Sequence, residues 1–364
     1  MRLIGVKEIE DMAIGAALLG AGGGGDPYIG KLMAISAVEK YGPIKLITPD
    51  EVADDELVVP TAMMGAPTVL AEKIPSGREA IEAFKTLEKM LGKKITATMP
   101  IEAGGVNSMI PLALAAELGL PVVDGDGMGR AFPELQMVTF YLNDVSATPI
   151  ALTDEKGNSI VLETVGGLFT EKIARAATGV LGGSLMLSIY PMTGKQLKQS
   201  VIYDSLSIEE KIGQIIHEGR QKNFNPLDNL LAELKGFKLF EGKITDVLRT
   251  TDGGFVRGTV KFEGIDGDAG SEAVVNFQNE NLMITVDGKV RTTTPDLISI
   301  LDYETSMPYT TEGLQYGSRC RIIALPADKQ WRTKRGLEVV GPRYFGYDVD
   351  YVPLEELMEE VDND

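Results

Sequence analysis

The spacing of apolar residues changes once along this 364-residue chain, and that change sets what it can fold into. Up to about residue 235, short apolar runs alternate with segments of helical period. "VKEIEDMAIGAALLG" (6–20) and "DPYIGKLMAISAVEKYG" (26–42) read as helices. The second has Asp26 as its N-cap, Pro27 in the first turn and Gly42 as its stop. "IKLIT" (44–48), "ELVVPTAMMG" (56–65), "KITATMP" (94–100) and "LPVVDGDG" (120–127) read as strands. Helices over 78–91 and 107–119 lie between them, the latter capped by Asn107 or Ser108. Strands alternating with helices predict an α/β domain built on a largely parallel, covered sheet. The runs "LQMVTFYL", "TPIALTD" and "SIVLET" within 135–163 predict an antiparallel extension of it. A helix over 168–180, the strand "SLMLSIYPM" and helices near 207–233 complete this part. Beyond residue 236 short strands are punctuated by "TDGG", "DGDAG" and "VDGK", whose Asp-Gly pairs suit tight hairpins. A β-rich domain of barrel or sandwich type is expected there. The division is therefore 1–235 and 236–364, with 326–364 free to pack back on the first domain and "PLEELMEEVDND" as an acidic terminal helix.

Charge narrows the partners. Lys and Arg total 35 against 53 Asp and Glu, a net −18, which disfavours nucleic acid and anionic membrane and favours a small molecule. Acids already stand in "MRLIGVKEIEDM", unlike a signal peptide, and no apolar run approaches a membrane span. A single cysteine, Cys320, cannot form an internal disulfide and fits a cytoplasmic protein. In "SRCRIIAL" it alternates with arginines as a strand core residue does. The lone histidine, His217, lies on a helix as a surface or half-buried residue, which leaves no ordinary route to zinc or a Ser-His-Asp triad. Chemistry here must rest on carboxylates, amides, hydroxyls and main-chain donors. A homo-oligomer is expected for a protein of this kind.

Parallel sheets bind ligands where loops leave the carboxyl ends of strands. "MPIEAGGVNS" (99–108) and "VVDGDGMGRAFPE" (122–134) leave neighbouring strands on one edge. Together they gather Glu102, Asn107, Asp124, Asp126, Arg130 and Glu134, with Gly104 and Gly105 letting main-chain N–H groups approach a ligand. Acids around one arginine are suited to acid-base work. The run "GAGGGGDPYIGKL" (20–32) resembles a P-loop but lacks its preceding strand, and Leu32 replaces the Ser or Thr after Lys31. It lacks the third glycine of a dinucleotide fingerprint as well, because Pro27 stands there. What remains is a set of unobstructed N–H groups at Gly22, Gly23, Gly24 and Gly25, with Asp26, before the second helix; a tight helix-helix corner explains them equally. Asp124 and Asp126 have oxygens for a divalent cation but also read as a plain turn, and no cofactor is expected.

"LGAGGGGDPYIG", "MPIEAGGVNSMIPLALAAELGLPVVDGDGMGRAFPELQM", "YGSRCRIIALPAD" and "GLEVVGPRYFGYD" are similar to the S-methyl thiohydantoin desulfurase family over nearly the whole chain. The resemblance implies an α/β N-terminal domain followed by a β-rich one. It also implies the company of ATP-dependent hydantoinase and oxoprolinase enzymes. The implied reaction is hydrolysis at an sp² ring carbon, releasing methanethiol and leaving a hydantoin. The loops then supply Glu102 or Asp126 as base. Asn107 and the Gly22–Gly25 amides would hold the ring, and Arg130 would orient an acid or the substrate. Another cyclic-amide hydrolase, or a non-catalytic partner of a hydantoinase-type enzyme, stays open on these residues.

Overall fold

The computed structural model describes residues 1–363 except 66–68, 70–72, 74 and 75. Its first sheet runs from Arg2–Ile4 through Ile44–Ile47, Val122–Val123, Ala97–Pro100 and Leu57–Gly65 to Ser184–Ser188, Ile150–Thr153 and Ser159–Leu162. The strands from Ile44–Ile47 to Leu57–Gly65 are parallel neighbours. From Leu57–Gly65 onward pairing is antiparallel, so the expected extension is present as a mixed edge. The strand Leu57–Gly65 is buried along all but its last residue, as a strand covered on both faces must be.

The helix Gly105–Leu118 shows what holds this half together. Apolar residues occupy every side of it rather than one stripe, because it is sandwiched between the sheet and the helices Val6–Leu19 and Tyr28–Tyr41. Met109, Ile110, Leu112 and Leu114 are each at most 2% exposed. Each contributes roughly 1.5–3 kcal/mol of transfer free energy.

Several expected boundaries move, for local reasons. The second helix spans Tyr28–Tyr41 with Pro27 at its N-cap. Asp26 lies one residue earlier and accepts the Tyr28 N–H at 2.8 Å in a turn. The helix expected from 107 begins at Gly105 with Gly104 as N-cap, so Asn107 and Ser108 sit in its first turn. Ser108 Oγ nevertheless accepts the Gly104 N–H at 2.9 Å. "LQMVTFYL" is no strand; it folds as a loop and the short helix Thr139–Leu142, because its apolar residues plug the core beneath the sheet edge. The run 120–127 divides. Val122–Val123 joins the large sheet, while Gly125–Asp126 turns away to pair with Ile202–Tyr203.

The C-terminal half is a seven-stranded antiparallel sheet in the order Lys289–Thr293, Glu280–Val286, Glu272–Gln278, Phe255–Gly264, Phe237–Asp252, Arg319–Leu325 and Leu297–Asp302. It curls around Phe240, Phe262, Phe277, Ile300 and Ile322, with Cys320 buried among them. Leu297, Leu301, Ile323 and Leu325 pack on Leu18, Leu19, Ile212 and Ile216, which joins the two halves through one apolar cluster. The chain then returns. Trp331, 1% exposed, enters the N-terminal core edge-on to Phe132 at 5.2 Å and donates its indole N–H to the Met128 carbonyl at 2.8 Å.

Candidate functional site

Three distant stretches meet over the carboxyl ends of the parallel strands. The glycine corner after the first helix lies against the start of the helix Gly105–Leu118: the Val106 N–H donates to the Gly24 carbonyl at 2.9 Å. The loop after Val123 docks on both, with the Ala131 N–H to the Leu19 carbonyl at 3.2 Å and the Gly127 N–H to the Ile101 carbonyl at 3.0 Å. The β-rich half closes the arrangement. The Asn281 N–H donates to Ala21 and the Thr311 N–H to Gly22, each at 2.7 Å. Between them lies a cavity of about 80 Å³, room for several waters or a small ring.

Two glycines are required by this meeting. A Cβ on Gly23 would stand 2.1 Å from Glu280 Oε1. Gly105 has φ +55°, and a Cβ there would stand 2.2 Å from the Gly24 carbonyl oxygen. The corner therefore serves close approach, and the Gly23 N–H is already donated to Gly20 at 2.8 Å.

Of the residues singled out from sequence, Glu102, Asn107, Glu134, Gly23 and Gly24 line the cavity. Glu102 is 5% exposed, and burial pushes its carboxyl up to about 7 against the hydrogen bond from Asn107. Asn107 holds it by donating to Glu102 Oε1 at 2.6 Å. Its own amide is fixed by the Met63 main chain, with Oδ1 accepting the Met63 N–H at 2.6 Å. Asn107 is thus a positioning group for the acid rather than a free ligand to a ring. Glu134 is tied at the rim by Gln136 Nε2 at 2.5 Å and the Tyr344 hydroxyl at 2.8 Å.

The other expectations need correction. Asp126 is buried outside the cavity, and burial raises its carboxyl to about 6. Its Oδ2 accepts N–H groups from Ala103 at 2.6 Å and from Met128 and Gly129 at 2.8 Å, while Oδ1 takes the Ser205 hydroxyl at 2.5 Å. It pins two loops and does not face the cavity. Asp124 caps the helix Ser205–Lys222 instead, accepting the Leu206 and Ser207 N–H groups at 3.1 Å. Both carboxylates are thus engaged by protein donors. Among the described residues no group of three or more His, Cys, Asp or Glu is placed to hold a metal. Arg130 clamps the halves together. Its guanidinium donates to the carbonyls of Ala131 at 3.1 Å, Asp296 at 2.7 Å and Asn281 at 2.8 Å, with burial lowering it to about 10. Gly22, Gly25, Gly104, Gly105 and Asp26 shape the corner from behind and do not line the cavity. His217 is half-exposed and pairs with the buried Asp11 at 2.5 Å.

The sequence reading missed Glu280. It opens the strand Glu280–Val286, is 3% exposed and lines the cavity from the β-rich half. Burial, and then the charge of Glu102, hold its carboxyl well above the usual range, with Arg130 pulling the other way. Its Oε2 has no hydrogen-bond partner. Glu312 also faces the cavity, and burial raises it too. The signal available was "FQNENL", four polar residues at a hairpin, of which Gln278, Glu280 and Asn281 prove buried; spacing alone reads them as an exposed turn.

The arrangement is a small, partly open cavity with two buried carboxyls of raised proton affinity from different halves. Such a pair can take a proton from one group and give one to another.

Comparisons with known proteins agree with the architecture. A crystal structure of a protein from Chromobacterium violaceum superposes with a TM-score of 0.82 at 24% identity, covering 97% of this chain and 100% of that one, and shares the fold. No curated protein matches. Among the described residues no helix is long and apolar enough to cross a membrane. Residues 7–164 match the family described as S-Me-THD-like, N-terminal domain, and residues 167–354 its C-terminal counterpart. Matched in both parts, the chain belongs to the S-Me-THD-like family, that of S-methyl thiohydantoin desulfurase.

Proposed function

We propose that this protein hydrolyses a small cyclic amide-like ring of the S-methyl thiohydantoin or hydantoin type, using Glu102 to activate water. The observation that carries this reading is Glu102 itself: a buried carboxyl facing a ring-sized cavity, held at one oxygen by Asn107 and raised to about 7. Near neutrality such an acid exists in part as a carboxylate with high proton affinity, as a general base requires. The apolar wall from Ala62, Met63, Ile101 and Phe132 suits the faces of a flat, uncharged ring. The reaction needs no redox partner. The water oxygen bonds the sp² carbon as one proton passes to Glu102, and the leaving group departs from the tetrahedral carbon.

The test is methanethiol release from 2-methylthio-hydantoin, followed with a thiol reagent while the hydantoin product is identified by mass. The expected result is turnover by the parent and a loss of about 10²–10⁴-fold in kcat for Glu102→Gln. An inactive parent across S-methyl thiohydantoins, hydantoins and lactams sinks the reading.

One feature favours docking on a neighbour as a second role. Val165 is 95% exposed, and the adjoining helix Gly167–Val180 presents Leu168, Phe169 and Ile173 to solvent at 43–56%. A second copy of this chain is the first candidate for covering that face, and sedimentation of the pure protein decides it. A monomer that co-purifies with a hydantoinase- or oxoprolinase-type enzyme would assign the face to that partner instead.

A further inference from the structure

We propose that Glu280, brought in by the β-rich half, is the second catalytic carboxyl and protonates the sulfur as it leaves. The inference rests on the hydrolase reading above and adds the proton donor which that reading lacks. A thiolate leaving a ring carbon needs a proton from a group that is protonated at rest, close to the ring, and free to point at it. Glu280 meets each requirement. It lines the same cavity as Glu102, from the opposite half of the molecule. Its Oε2 is buried with no hydrogen-bond partner, an arrangement that leaves a polar atom without solvation unless a ligand supplies it. It lies against the glycine corner, where a Cβ at position 23 would stand 2.1 Å from its Oε1.

The other acids around the cavity are less suited. Glu134 is bound by two donors at the rim. Glu312 lies on the short turn Thr311–Gly313 with Arg249 nearby to favour its charge. Burial and the repulsive charge of Glu102 favour the protonated form of Glu280, and outweigh the charge of Arg130 that opposes it.

The water oxygen bonds the ring carbon, one water proton goes to Glu102, and the C=N electron pair moves to the ring nitrogen. The C–S bond breaks with its electron pair, and methanethiol leaves carrying the proton from Glu280. The remaining hydroxyl proton ends on the ring nitrogen, giving the cyclic amide. The proton on Glu102 passes back to Glu280.

The experiment compares two rings that differ only in leaving group, S-methyl and S-(4-nitrophenyl); the aryl thiolate leaves without help. With Glu280→Gln, kcat on the S-methyl ring is expected to fall about 10²–10⁴-fold, and on the S-aryl ring less than about tenfold. Glu102→Gln is expected to fall on both alike, because water must be activated in each. Equal losses on the two rings for Glu280→Gln, or none, overturn the role of Glu280 while leaving the hydrolase reading standing. A parent inactive on both rings overturns that reading and this role with it. A measurement on the unaltered protein guards against misfolding of the variant. Across a series of alkyl and aryl thiol leaving groups, the parent's rate should vary little with thiol acidity, and a steep dependence refutes protonation by Glu280.

Discussion

At the scale of single residues, burial decides what each carboxyl can do. Glu102 and Asp126 are both raised by desolvation, yet one faces a cavity and the other is saturated by four donors. Their replacements should therefore differ. Asp126→Asn turns one accepting oxygen into a donor opposite N–H or O–H groups. It is expected to lower stability to urea by about 1–3 kcal/mol. Glu102→Gln should do the reverse above neutrality. The folded protein binds the Glu102 proton more tightly than the unfolded chain, so ionisation costs stability as pH rises from the ordinary 4.5 through about 7. At pH 8 the Gln variant should be more stable than the parent by on the order of 2–3 kcal/mol, and at pH 4 the two should unfold alike. Thermal unfolding midpoints across that pH range check both ends. The acids on the two strand-end loops could be read from sequence because glycine-acid loops follow recognisable strands. Glu280 could not, because its meaning depends on facing the same cavity as Glu102, 178 residues away in the chain, which no local pattern encodes.

At the scale of elements, the helix Gly105–Leu118 and the glycine corner form one unit. Legibility followed period: the long helices and the hairpins fell within a few residues of expectation. The segment 135–142 did not, because a short alternating run serves a strand or a plug under a sheet equally well. The corner's glycines were visible, but their purpose was not; close packing of backbone on backbone leaves no periodic trace. Gly105→Ala is expected to cost more than the usual helix gain from alanine, since both φ and the Gly24 carbonyl oppose a side chain. A loss of about 2–4 kcal/mol is expected. Unfolding in guanidinium with an unchanged m-value would show that stability alone has moved.

At the scale of the whole molecule, the two halves are clasped from both sides. Arg130 reaches from the first to carbonyls of the second, and Trp331 returns from the second into the core of the first. Trp331→Ala should cost about 3–5 kcal/mol, and because its indole holds the Met128 carbonyl, turnover should fall along with stability. Parallel denaturation and rate measurements test that link. The strand Ser184–Ser188 carries a further consequence. It lies in the region matched as the C-terminal domain, yet it is wedged between Leu57–Gly65 and Ile150–Thr153 of the first sheet. A polypeptide nicked at the exposed Val165 would leave a slot one strand wide in one fragment and the matching strand on the other. Two such pieces, produced separately and mixed, should find each other by donor-strand pairing, and their co-elution as one complex with the far-UV dichroism of the intact chain would report the re-knitting of the sheet.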